Sequence, residues 1–347
     1  MYRVIQWATG AMGRTALRRI IDHPDLELVG VYVYSDDKAG ADAGDLAKRP
    51  KTGVIATNRI EDILALDADV VIHTPRITLP YDALNDDVAR LLASGKNVIS
   101  TAGFHWPTHQ GGAYAAPLLE ACRAGNATLA GLGVNPGALV ERIVLSATGL
   151  CAQLDHITVR EMVDARAMAQ PVFVYDFMGF AKDPTKEDIT QGPLAKLYTS
   201  LFGEVFAAVA HAMDATIEDL SPDHRLTLAP HDMAVAAGPI PKGTVAATEW
   251  RWNARFSNGA GMTLSILWTA DPALHGANVT GHWTVDIEGR PNISLTLDIH
   301  EGDPKAPPAR ALTDATVAVA IRAIPDICAA APGFFAYDAP APYRARL

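Results

Sequence analysis

The amino-acid sequence predicts an α/β protein in two parts: an N-terminal domain on a parallel sheet, then an α+β domain with a mostly antiparallel sheet. Three observations carry this. The first third alternates short, almost continuously apolar runs with stretches of helical spacing, as strands buried on both faces of a sheet do. From Thr244 onward the period becomes two, with one apolar and one polar face, as in an antiparallel sheet with one solvated side. A chain of 347 residues also exceeds the roughly 250–300 at which a single core stops growing.

The elements follow in order. Arg3–Trp7 is the first apolar run, and Met12–Asp22 (MGRTALRRIID) has helical spacing. Leu26–Tyr34, Ala68–His73, Lys96–Thr101 and Thr128–Val134 are the next strands, with a helix over Ala115–Ala124. Leu194–Ala212 sets Leu194, Leu197, Tyr198, Leu201, Phe202, Val205 and Val209 at the spacing of one helical face. Trp250, Trp252, Ala254 and Phe256 then alternate with Glu249, Arg251, Asn253 and Arg255. Asn258-Gly259 is a hairpin turn, and Met262, Leu264, Ile266 and Trp268 continue the apolar face. A second hairpin pairs Trp283, Val285 and Ile287 with Ile293, Leu295, Leu297 and Ile299 around Gly289-Arg290-Pro291. The Trp-rich face reads as core against a helix, with a homodimer interface as the alternative. A helix over Thr313–Ile324 should stop at Pro325. The expected domains are 1–136, 137–310 for substrate and dimerisation, and 311–347, a helix and tail returning to the first domain.

Composition narrows the function. A net charge of −10 with no basic stripe argues against a nucleic-acid partner. Cys122, Cys151 and Cys328 form no CxxC pair and read as free thiols of a reducing compartment. The chain opens directly into a strand, without a signal-peptide core, and no run approaches the ~18 apolar residues of a membrane span. A cytoplasmic protein with no membrane partner is expected. His105 and His109 have the spacing of a helical metal pair, but Pro107 between them forbids the helix, so no metal is expected.

The strongest motif is the loop after the first strand. Ala8-Thr9-Gly10-Ala11-Met12-Gly13 is a G-x-G-x-x-G fingerprint with alanine in the first place, ahead of a helix and a βαβ series. Gly10 lets the backbone approach a pyrophosphate, Gly13 lets helix and strand pack closely, and the helix start offers N–H groups to the phosphates. This makes the first domain a Rossmann domain binding a nicotinamide dinucleotide. About 20 residues on, where an NAD-selective site carries an acid, stands Val33, followed by Tyr34, Ser35, Asp36, Asp37 and Lys38. Ser35 or Lys38 can take a 2′-phosphate, whereas Asp36 and Asp37 repel one. NADP(H) is preferred, with NAD(H) as the alternative.

Beyond this loop, DVVIHTPR (Asp69–Arg76), GKNVISTAGFHWP (Gly95–Pro107), GLGVNPGALVERI (Gly131–Ile143) and LVGVYVYSDDKAGADAG (Leu28–Gly44) resemble the dihydrodipicolinate-reductase-like branch. That branch contains 2,4-diaminopentanoate dehydrogenases and native amine dehydrogenases. The resemblance covers nearly the whole chain and implies roles. Thr74, Pro75 and Arg76 line the dinucleotide, Thr101, Ala102 and Gly103 face the nicotinamide ribose, and Asn135 holds the carboxamide. It also implies a homodimer.

One departure matters. In the amine dehydrogenases the loop after GKNV carries a glutamate that activates ammonia or the imine. Here it reads Ala102-Gly103-Phe104-His105-Trp106-Pro107, with no carboxylate. His105 is the titratable group in place, a candidate acid–base or else a loop histidine bonded to backbone. Glu161 or Asp164 in VREMVD can serve too, or form surface pairs. Phe104, Trp106, Phe173, Tyr175, Phe177 and Met178 read as an apolar substrate pocket or as loop packing. Reduction of a C=N or C=O bond of a small apolar substrate, amine-dehydrogenase-like, is the leading expectation. A carbonyl reductase or alcohol dehydrogenase on the same scaffold, and a dinucleotide-binding sensor without turnover, are the alternatives.

Overall fold

A computed structural model describes residues 1–276, 282–303, 305–306 and 309–346. Positions 277–281, 304, 307–308 and 347, which fall in the expected second domain and tail, lie outside the described residues. The chain divides into two compact units, one of Met1–Arg142 with His300–Asp338, the other of Ile143–Ile299 with Ala339–Leu347.

The first unit holds strands β1 (Tyr2–Trp7), β2 (Leu26–Tyr32), β3 (Val70–His73), β4 (Asn97–Ser100) and β5 (Thr128–Gly131). With the short strand Gly333–Phe334 they form one parallel sheet. Its order is Gly333–Phe334, β5, β4, β3, β1, β2. Both faces are covered, which is why these strands are apolar without alternation. Ile5, Val71, Val98 and Leu129 pack with Val88, Leu91 and Leu118 from the helices Asn85–Ala93 and Gly112–Gly125. Val4, Ile72, Ile99 and Ala130 pack with Ala16 and Ile20 of the helix Ala11–Asp22 and with Val317 and Ala320 of the helix Ala309–Arg322. Each fully buried aliphatic side chain contributes about 1.5–3 kcal/mol.

Two strands end earlier than their apolar runs. β2 stops at Tyr32 because the Val33 amide turns to the Thr57 carbonyl, although Val33 itself stays buried. β5 stops at Gly131, and a helical segment begins at Val134. The C-terminal helix runs over Ala309–Arg322, and Pro325 does not merely terminate it. Pro325 sits in the first turn of a new helix, Ile324–Ala329, where its missing N–H has no intrahelical partner to lose.

The second unit is built on β6 (Gln153–Asp164), β7 (Ile217–Pro222), β8 (Arg225–Leu228), β9 (Met233–Val235), β10 (Gly238–Ile240), β11 (Val245–Phe256), β12 (Gly261–Thr269), β13 (Trp283–Arg290) and β14 (Ile293–Leu297). Its sheet has the order β14-β13-β6-β12-β11-β7, with β8 also on β11 and β9–β10 a separate hairpin. Neighbours are antiparallel except β6 and β12, which run parallel. The Asn258-Gly259 hairpin and the Trp283–Leu297, Val285–Leu295 and Ile287–Ile293 pairs form as expected, while Ile299 lies past the end of β14. The Trp-rich face is core. Tyr198 and Phe202 of the helix Pro193–Ala212 stand 5.0 Å from Trp250 and Trp252, and Trp252 Nε1 donates to Thr199 Oγ1 at 2.9 Å. Trp250 and Trp252 are thereby buried by their own chain, and the dimer reading of that face falls. Among the described residues no helix is long and apolar enough to cross a membrane.

Candidate active site

The loop from β1 to the helix Ala11–Asp22 has the geometry of a phosphate cradle. Gly10 caps the helix without any side-chain hydrogen bond, and the first turn has no acid, so the positive helix end faces outward unneutralised. A Cβ on Gly10 would meet nothing within 4 Å. A Cβ on Gly13 would stand 2.0 Å from the Ala8 carbonyl oxygen, so this glycine is what lets helix and strand touch. Ala8 replaces the first glycine of the fingerprint at a φ of 71°, a left-handed value that costs an L-residue roughly 1–2 kcal/mol. Ala8→Gly relieves that strain against a smaller loss of unfolded-chain stiffness. It is expected to raise stability by about 0.5–1 kcal/mol, read by thermal melting.

A cleft of about 490 Å³ opens here, lined by Ala8, Thr9, Gly10, Ala11, Met12, Tyr34, Ser35, Lys38, Thr74, Pro75 and Arg76. The sequence picked out all of these, and the cleft brings them together. Its lining holds two cations and no carboxylate. Asp36, feared as a repellent group, is engaged by Asn58, whose Nδ2 donates to Asp36 Oδ1 at 2.6 Å. Lys38 Nζ reaches the Thr9 carbonyl at 3.5 Å, and Trp7 Nε1 donates to the Tyr34 hydroxyl at 2.9 Å. The open cradle, the uncapped helix start and the cationic lining fit a dinucleotide pyrophosphate. Sequence reasoning missed Gln6, whose buried amide donates to the Trp7 and Ala8 carbonyls and to Thr74 Oγ1, tying the ends of β1 and β3. Only its place inside an apolar strand marked it.

The carboxyl ends of β3 and β4 carry the next residues. His73 Nδ1 meets Ser100 Oγ at 2.9 Å, and the same hydroxyl accepts from the Ala102 amide at 3.1 Å. Complete burial pushes the His73 imidazole down to about 3, so it is neutral at ordinary pH. Ala102 is buried, Thr101 half-buried, and Gly103 has a φ of 105°, with a Cβ there falling 2.7 Å from the Tyr81 hydroxyl. Phe104 corrects an expectation. At a φ of 66° and 2% exposure it belongs to the first unit's core beside His73 and Tyr114, not to a substrate surface. Its direction is reversed by the positive φ, which sequence periodicity does not show. Trp106 is half-buried ahead of the 3₁₀ turn Pro107–Gln110, which carries His109 on the surface, whereas His105 points into the protein.

His105 has a carboxylate after all. Its Nδ1 lies 3.0 Å from Glu141 Oε1, with both side chains largely buried. Glu141 comes from the helical segment Val134–Val144, which begins at Gly133-Val134-Asn135-Pro136-Gly137. Asn135 is the irregular residue of that segment, at φ −126° and ψ 122°, half-buried. In the sequence Glu141 follows Gly137 by one helical turn, with no mark of its partner.

In the second unit, Glu161 lies on β6 with His282 Nε2 at 3.4 Å, in a polar cavity of about 330 Å³ that also holds Arg160, Glu249 and His275. Asp164 makes the surface pair with Arg166. Met178 is fully buried, its carbonyl accepting from Thr248 Oγ1 at 2.9 Å, so it packs inside its own unit. Residues Val172–Phe177 form a helical turn where a loop without period was expected. Phe173 stacks on Phe177 and nears Trp268, and the Tyr175 hydroxyl donates to the Pro239 carbonyl at 3.3 Å.

Residues 4–111 match the family described as dihydrodipicolinate reductase, N-terminus. An amine dehydrogenase of Streptomyces virginiae is 29% identical over 223 residues, 63% of this chain and 61% of that one. The chain is thus similar over its first third to dihydrodipicolinate reductases and over a longer stretch to an amine dehydrogenase. The 4-hydroxy-tetrahydrodipicolinate reductase of Trichormus variabilis is 31% identical over 105 residues, 29% of this chain and 38% of the reductase. The aligned region thus spans less than two thirds of either relative. The solved structure of an amine dehydrogenase from Mycobacterium smegmatis superposes with a TM-score of 0.77 at 17% identity, covering 100% of this chain and 98% of that one, so the two share a fold.

Proposed function

We propose that this protein is an NAD(P)H-dependent oxidoreductase that reduces a C=N or C=O bond of a small, largely apolar molecule, in the manner of an amine dehydrogenase. The observation that carries the reading is the buried His105–Glu141 pair, on the same unit as the dinucleotide cleft and in the loop that leaves β4. A dinucleotide bound there supplies the hydride. The chain's residues orient it, through the helix start and Asn135, and move the proton, through His105.

A histidine as proton donor serves a carbonyl as well as an imine. Carbonyl reduction without amine chemistry is therefore the second reading. NADPH or NADH consumption with medium-chain aldehydes and cyclic ketones, with and without excess ammonium, separates them. Turnover that requires ammonium establishes amine chemistry; equal turnover without it establishes a carbonyl reductase; no turnover with any substrate overturns both in favour of a sensor.

NADP(H) is the proposed cofactor, because Ser35 and Lys38 line the cleft while Asp36 is held by Asn58. Lys38→Ala is expected to raise the KM for NADPH about tenfold, the loss of one ~1.4 kcal/mol charged contact, and to leave that for NADH within about twofold. Equal effects on both cofactors would remove Lys38 from 2′-phosphate recognition. A homodimer in the cytoplasm completes the proposal, consistent with three free cysteines, two of them buried, and testable by light scattering.

A further inference from the structure

His105 leaves β4 on a loop whose direction is set by two unusual residues, Gly103 at φ 105° and Phe104 at φ 66°, the latter anchored in the core. Its imidazole is 4% exposed. On the helix side, Gly137 faces the ring, because a Cβ there would stand 3.5 Å from His105 Cε1. One turn further on, Glu141 brings Oε1 to 3.0 Å from Nδ1, with 11% of its side chain exposed. A carboxylate this deep is costly to keep unless an opposite charge or a donor compensates it. At this distance the carboxylate oxygen faces the Nδ1 side of the ring and forms an ion pair with it whenever the ring is protonated. Other titratable groups brought to this loop are Tyr81, whose hydroxyl lies over Gly103, and His73 and Tyr114, whose rings stand beside Phe104.

We propose that Glu141 is the positioning residue for His105: its carboxylate takes the Nδ1 side of the ring and makes Nε2 the atom that exchanges a proton with substrate. The inference rests on the oxidoreductase reading above. As the substrate carbon is reduced, Nε2–H gives its proton to the nitrogen or oxygen. The π pair of the C=N or C=O bond forms the new N–H or O–H bond, the old N–H pair stays on the ring, and imidazolium becomes imidazole. Glu141 exchanges no proton. The same segment that opens with Asn135 would then set both the cofactor's orientation and the acid's tautomer, a use of a carboxylate neighbour found wherever a histidine must present one nitrogen.

The test compares wild type with Glu141→Gln and Glu141→Asp, with His105→Gln to identify the His105 imidazole ¹⁵N signals. The expected wild-type ring carries its neutral-state proton on Nδ1, and Glu141→Gln shifts the ¹⁵N pattern toward the other tautomer. In the same variant kcat falls about 10²-fold with KM within about threefold, and the high-pH limb of kcat/KM moves down by about one unit. Glu141→Asp recovers at least about a tenth of the activity. NADPH binding, followed by fluorescence, stays within about threefold in every variant and reports the fold. Wild-type turnover matched by Glu141→Gln, with the same pH profile, overturns the proposal. So does a loss of kcat with an unchanged His105 ¹⁵N pattern, which marks a structural role. A wild type that binds NADPH and turns over nothing overturns the oxidoreductase reading itself, and the proposal with it.

Discussion

Gly10→Ala and Gly13→Ala, at the cap of one helix and in its first turn, are expected to fail in opposite ways. A methyl group at Gly13 would lie 2.0 Å from the Ala8 carbonyl oxygen, a backbone atom that cannot swing aside. The helix Ala11–Asp22 must back away from β1, opening the contacts of Ala16 and Ile20 with the sheet. Overpacking of this kind costs about 1–3 kcal/mol or more, so Gly13→Ala should melt several degrees lower and bind dinucleotide weakly as a consequence. At Gly10 the same methyl meets no protein atom within 4 Å, and φ is −69°, ordinary for alanine. Stability should change by less than about 1 kcal/mol, the size of a helix-cap effect. The methyl would instead occupy the cradle where a pyrophosphate must approach, and NADPH affinity should drop about 5- to 150-fold. Melting curves and fluorescence titration of both variants decide it. If Gly10→Ala binds NADPH like wild type, the cleft is not where the dinucleotide lies.

His105→Gln carries the larger kinetic effect. Glutamine nearly fills the imidazole's volume and keeps a hydrogen-bonding end, but it does not transfer a proton near neutral pH. General acid–base catalysis is worth about 10²–10⁴ in rate, and kcat should fall by that factor while NADPH binding is preserved. A variant within about threefold of wild type in stopped-flow turnover would return His105 to the status of a structural loop residue.

What the sequence made legible follows from the range of the interactions involved. The dinucleotide cleft was readable because its residues lie in a few short segments whose order is the order of strand ends: 8–12, 34–38 and 74–76. The hairpin at Asn258-Gly259 was equally local. The parallel pairing of β6 with β12 was not, since Ile157 and Met262 are joined by a long stretch of intervening chain and neither strand carries a mark of its partner. β7 stayed hidden because it lies at the sheet edge with little alternation, its burial falling mostly on the exposed side. Phe104 read as a pocket residue because its positive φ is a property of the folded loop. Glu141 was not legible for another reason: nothing in the sequence ties it to the loop of His105, and only the fold brings it there from the next motif along the chain.

The helix Ala309–Arg322 has a consequence for synthesis. It helps to close one face of the first sheet over Val4, Ile72 and Ile99, yet it is made some 170 residues after the N-terminal part of that unit ends at Arg142. At physiological elongation rates of about 5–20 residues per second, the ribosome needs on the order of ten seconds or more to supply it. Throughout that interval this sheet face is covered only in part, by the helix Ala11–Asp22, while Ile143–Ile299 of the second unit are made. The first unit is thus begun before the second and completed only after nearly all of the second has been made.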